Sequence, residues 1–95
     1  MRVLVTAVVL VRTENERVEE AAQAMLGVEG VTEVYSVTGP YDLVVMVRIP
    51  EFERLAEIVP EKLAQIPGVA RTETMVAFRY YSNYDLDRIW SQGFE

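Results

Sequence analysis

The chain contains no cysteine and no histidine. Without thiols it has neither a disulfide framework nor a thiolate metal site. Without imidazole it lacks the commonest general base and the commonest zinc ligand. Positive charge is scarce as well: Lys62 is the only lysine, nine basic residues stand against fifteen acidic ones, and the net charge is −6. Phosphate contact needs clustered Lys and Arg, so direct nucleic-acid binding is not expected. The longest apolar run, Val3–Val11, is interrupted by Thr6 and too short to span a bilayer. It ends in Arg12-Thr13-Glu14 rather than in a small-residue cleavage site, so neither export nor a membrane anchor is read from it. The expected setting is the cytoplasm. No cofactor and no metal is expected, and Asp85 and Asp87 read as helix-start carboxylates in solvent.

What remains suits one globular domain. The 95 residues are 51% hydrophobic, enough for a single core. Met1–Arg12 is rich in β-branched residues and apolar on both alternations, as in a strand buried on both faces. Thr13 and Glu16 match a capping box, and Val18, Ala21, Ala22, Met25 and Leu26 follow with the 3.6-residue period of an amphipathic helix. Gly27 or Gly30 stops it. Val31–Thr38 is expected as a second strand and Asp42–Ile49 as a third, the latter again apolar on both alternations. Pro50 opens a second helix striped by Phe52, Leu55, Ala56, Val59, Leu63 and Ile66, with a kink predicted at Ala56–Pro60. Val69–Tyr80 is the fourth strand.

The order is β-α-β-β-α-β, and it is a repeat: MLGVEGVTEVYSV and LAQIPGVARTETM both run from helix end through a turn and Gly-Val into a strand. The fold class is therefore α+β, a ferredoxin-like split plait. Right-handed crossovers put both helices on one face of a four-stranded antiparallel sheet with the first and third strands in the middle. Leu4, Val8 and Leu10, or their alternates, and Val44 and Met46, or theirs, must then point away from the helices. Such an apolar face is a liability in water, and a second copy of the sheet is its expected cover, giving a two-fold homodimer. The domain is expected over residues 1–80. Residues 81–95 form a tail in which Asp85 caps a short helix carrying Leu86, Ile89 and Trp90, packed on the domain or a neighbour.

The corner between the second and third strands, VTGPYD, is richer than a turn requires. Gly39 allows close backbone approach and a positive φ, Pro40 stiffens the loop, and Tyr41 and Asp42 add a ring, a hydroxyl and a carboxylate. Read without function, Asp42 satisfies loop N–H groups and Tyr41 packs at a subunit contact.

Three motifs sit in this order: Gly-Val at Gly30-Val31 and Gly68-Val69, Val37–Asp42 at the corner, and Arg71–Thr74 (RTET) in the last strand. Together they resemble the C-terminal effector-sensing domain of the Lrp/AsnC transcriptional regulators. The resemblance covers about Val3 to Arg79. It implies small-molecule binding, sheet-to-sheet dimers assembled into rings such as octamers, and an amino acid or related small metabolite held at the dimer–dimer contacts. It would place the ligand at Gly39, Pro40, Tyr41 and Asp42, with Thr72 or Thr74 and Ser36 adding hydrogen bonds. Backbone donors at the corner would take the carboxylate and Asp42 the ammonium. Full-length members carry an N-terminal helix-turn-helix that this sequence has no residues to build, so a stand-alone sensing domain is expected, acting alone or with a helix-turn-helix paralogue. The alternative is a small dimeric enzyme of the monooxygenase or isomerase type, which the absence of His and Cys opposes.

Overall fold

Strand β1 spans Val5–Thr13, and its side chains alternate between two apolar environments. Ala7, Val9 and Val11 are fully buried on the side of the helices, whereas Val8 and Leu10 are half-buried on the other. The computed structural model describes residues 4–14, 16–81 and 83 of the chain. Strand β3, Leu43–Ile49, repeats the pattern, with Leu43, Val45, Val47 and Ile49 inward and Val44, Met46 and Arg48 outward. Each inward Val or Leu removed from water contributes roughly 1.5–3 kcal/mol, so these two strands hold much of the core. Strands β2 (Val31–Ser36) and β4 (Val69–Val76) flank them. The sheet is antiparallel in the order β2-β3-β1-β4, as the crossovers require.

Helix α1 covers Val18–Leu26 and buries Ala21 and Met25 against the sheet. The capping box is not formed. Thr13 ends β1 instead, its hydroxyl engaged elsewhere, and the helix starts at Val18 after Arg17, with no side-chain cap. The stripe also ends one residue early, because Leu26 is half exposed.

The second helical segment starts with a 3-10 turn at Phe52–Arg54, passes through an α turn at Leu55–Glu57 and widens into a π turn at Ile58–Leu63. Pro60 has no N–H to offer the Ala56 carbonyl. The chain answers by lengthening the turn, and the Ala64 N–H bonds the Val59 carbonyl at 2.8 Å, five residues back. The wider turn changes the phase of the apolar stripe. Ile58 and Leu63, five apart, are buried beside Leu55, while Ala56 and Phe52 face solvent.

The repeat seen in the sequence has a matching geometry. Gly30 and Gly68 take φ of 93° and 97°, the left-handed region that favours glycine. The turns before them are closed by equivalent bonds, Val28 N–H to Met25 O and Ile66 N–H to Leu63 O, then Val31 N–H to Val28 O and Val69 N–H to Ile66 O. The carbonyl of Gly30 accepts from Arg48 N–H in β3 at 2.8 Å, and that of Gly68 from Glu14 N–H, just past the end of β1, at 2.8 Å, so each half's turn is tied to the other half.

Strands β2 and β4 end sooner than their apolar runs do, at Ser36 and Val76. The tail helix expected around Trp90 lies outside the described residues.

Candidate site at the β2–β3 corner

Residues 37–42 link β2 to β3, and the loop is closed by a bond from Val37 N–H to Asp42 O at 3.0 Å. Gly39 sits at φ 111° with open space where a Cβ would be. Three contacts tie the loop to β1. Asp42 N–H bonds Val11 O at 2.8 Å. Asp42 Oδ2 accepts from the N–H of Thr13 at 2.7 Å and from its hydroxyl at 3.2 Å. Arg12 Nη2 donates to Pro40 O at 2.5 Å. A fourth contact reaches the edge strand, where the Tyr41 hydroxyl donates to Glu73 Oε1. That hydrogen bond raises the Tyr41 pKa above the usual phenol range, and Arg71 and Arg12 pull in the opposite direction.

Strand register sorts the sequence-derived residues. Thr72 and Thr74 stand opposite Val11 and Val9, on the side of the helices, and Ser36 opposite Leu43 on that same side. Arg71 and Glu73 stand opposite Arg12 and Leu10, on the open side. Tyr41 therefore joins Glu73 rather than the threonines. Four residues that the sequence did not single out as site residues enter here: Arg12, Thr13, Arg71 and Glu73. Their signal is the cross-strand register, which no local pattern carries.

The open side itself is apolar along its middle. Val8, Leu10, Val44 and Met46 form its centre, with Leu4, Tyr35 and Met75 around them at 44%, 49% and 48% exposure. A polar network closes its β2 edge. Arg48 Nη1 donates to Glu33 Oε1 at 2.8 Å and to Thr32 Oγ1 at 2.6 Å. That Arg48 contact is the main reason the Glu33 carboxyl is held below its usual range. Among the described residues no group of His, Cys, Asp or Glu side chains is placed to hold a metal ion, and no helix is long and apolar enough to cross a membrane.

The architecture is a four-stranded split plait with an apolar open sheet face and a glycine-containing corner braced against β1. The chain belongs to the Lrp/AsnC family: the profile of the Lrp/AsnC ligand binding domain matches residues 6–86. An uncharacterized HTH-type transcriptional regulator of Pyrococcus furiosus is 40% identical over 76 residues, covering 77% of this chain and 51% of its own length. The chain thus spans about half the length of the curated relatives it matches. Among solved structures, TTHA0845 of Thermus thermophilus is 46% identical with a TM-score of 0.78, covering 83% of this chain and 99% of its own. A hypothetical protein of Pyrococcus horikoshii is 31% identical with a TM-score of 0.73, covering 85% and 98%. The same fold, at 21% identity and a TM-score of 0.68 over 85% of this chain and 55% of that one, is found in a feast or famine regulatory protein of M. tuberculosis complexed with L-methionine.

Proposed function

We propose that this domain senses an amino acid or related small metabolite and assembles as a homodimer through its open sheet face. Dimers then associate into a ring such as an octamer, with the ligand at a site built around Gly39, Pro40, Tyr41 and Asp42. The observation that carries the reading is the apolar centre of the open face, Val8, Leu10, Val44 and Met46. Helices bury the opposite face of the same strands, no element among the described residues lies over this one, and a second copy is self-complementary. The braced corner lies at the end of those same two strands. A site there is reached from the rim of the dimer rather than from inside it.

The domain acts by binding, not by turnover. A sequence without His or Cys leaves Asp, Glu, Tyr and one Lys for proton transfer, and the strongest charged contacts, at Arg48–Glu33 and Arg54–Glu29, are structural ion pairs. The cytoplasm suits this role. The L-methionine held by a regulator of the same fold supports the choice of amino acids as the first ligands to try.

Two measurements test the reading. Sedimentation should show a dimer or larger, and Met46→Glu, which places a charge at the centre of the face, should shift it toward a 10.8 kDa monomer. Calorimetry against the twenty amino acids should show saturable binding of at least one. A lone 10.8 kDa particle for the unaltered chain at micromolar concentration, or silence across the panel, overturns it.

A further inference from the structure

Strand β4 lies at the edge of the sheet with little over either of its faces. Glu73, Thr74, Met75 and Val76 are all exposed, and the exposure continues through Ala77 into Phe78, at 99%. The Ala77 N–H bonds Thr6 O at 2.9 Å, so Thr72, Thr74 and Val76, on the other alternation, turn their backbone groups outward. An open row of this kind is a template for another strand, and proteins usually blunt it with lysine, proline or a bulge. The opposite edge is blunted: β2 is six residues long, its register shifts between Val31 and Glu33, and Arg48 ties down Thr32 and Glu33. Val69–Tyr81 contains no Lys, Pro or Gly, and the shift in the β1–β4 ladder falls before Thr72.

Resting on the open-face pairing above, we propose that β4 joins β4 of a second copy, edge to edge and antiparallel, about a two-fold axis at Val76. The strand is self-complementary in that register. Glu73 stands opposite Arg79 of the second copy, and the two-fold repeats the pair. Across the same axis Arg71 meets Tyr81 and Thr74 meets Phe78. Opposite charges and aromatic–β-branched pairs stabilise cross-strand neighbours, and a guanidinium on a phenol ring adds a cation–π contact. Of the registers centred from Thr74 to Phe78, only this one sets opposite charges face to face, whereas a centre at Met75 opposes Arg71 to Arg79. The chain bends at Phe78 and leaves β1 there, and the second copy holds Phe78–Tyr80 in line. A ladder over Thr72–Tyr80 is too small a contact to hold two lone chains at micromolar concentration. It therefore joins dimers that the open face has already made. The two-fold leaves both open faces on one side of the joined sheet, free for that first pairing.

Sedimentation and cross-linking of the full chain test this. The unaltered chain should sediment as more than a dimer. Val76→Pro removes an outward N–H and leaves the bonds on the β1 side of the strand in place, so it should sediment as a dimer. The chain has no cysteine, so a single one introduced can pair only between chains. Val76→Cys, oxidised with copper phenanthroline, should give a covalent dimer, because residues opposed in a hydrogen-bonded pair have Cα atoms about 5.5 Å apart, within disulfide reach. Thr74→Cys lies on the same side of the strand, opposite Val9 as Val76 is opposite Ala7, away from the open-face contact. Its two copies would stand about 14 Å apart along the ladder. It should cross-link at least about tenfold more slowly, being out of disulfide range. A parent that stops at a dimer, a Val76→Pro chain as large as a larger parent, no covalent dimer from Val76→Cys, or equal rates for the two cysteines overturns the edge pairing while the open-face dimer stands. An unaltered chain that sediments as a monomer overturns both.

Discussion

The carboxylate of Asp42 holds both polar groups of Thr13, the N–H at 2.7 Å and the hydroxyl at 3.2 Å, across a gap of 29 residues. One side chain thereby fixes where β1 ends and where the corner begins. Thr13 is only 8% exposed, so its N–H has little water to turn to. Asp42→Ala should cost about 1–3 kcal/mol in urea unfolding, the penalty of a buried donor left unpaired. Asp42→Asn keeps an acceptor and should cost less. Thr13→Val, which removes only the hydroxyl contact, should be the mildest of the three.

The phase change in the second helical segment gives a sharper contrast. Ile58 is 1% exposed and Ala56 is exposed. Ile58→Ala should destabilise the fold by about 2–5 kcal/mol. Ala56→Glu, a charged substitution at a position the apolar stripe would place inward, should stay within about 0.5 kcal/mol. The reverse ranking in urea unfolding would mean that the π turn is not there in solution.

Two glycines with similar φ separate backbone strain from crowding. At Gly39, φ is 111° and a Cβ meets nothing within 4 Å. At Gly30, φ is 93° and a Cβ would lie 2.7 Å from Ile49 Cγ2 and 3.3 Å from Ile58 Cδ1. Gly39→Ala should cost about 1–2 kcal/mol, the left-handed penalty alone. Gly30→Ala should cost distinctly more, because Ile49 has to move within a packed core. Equal costs in denaturant unfolding would contradict this.

The Arg48–Glu33 pair predicts a direction in acid. Its main effect on Glu33 is the hydrogen bond from Arg48, which favours the carboxylate and lowers the pKa. A carboxyl lowered on folding contributes stability above its unfolded pKa and loses it as the pH falls through the folded one. The pair is partly exposed, so the contribution to stability is small. The carboxyl carbon of Glu33 should titrate by NMR below the ordinary carboxylate range. Arg48→Gln should raise it toward the ordinary range, and an unchanged midpoint would remove Arg48 as the cause.

Much of this architecture was legible in the sequence because it rests on short-range pattern. The period-2 and period-3.6 stripes, the recurring Gly-Val and the doubly apolar central strands imply the element order, the strand order and an unclothed face. What escaped depends on information that a window of ten residues does not hold. Thr13 and Glu16 have the spacing of a capping box, yet a partner 29 residues away takes the threonine instead. Ile58 stands three residues after Leu55, and the next buried residue, Leu63, follows it by five because the turn at Pro60 takes an extra residue. The corner was visible as unusual from VTGPYD alone. That its tyrosine meets Glu73, and that Arg12 faces Arg71, follows from the pairing of β1 with β4, and a shift of one residue would have joined other side chains.

The crossed glycine carbonyls carry a last implication. The turn at Gly30 is completed by Arg48 and the turn at Gly68 by Glu14, so each β-α-β half lends the other a donor that it cannot supply to itself. A chain nicked at the exposed Gly39 would yield two fragments with matching vacancies. Neither should hold its shape alone, and mixing them should restore the whole.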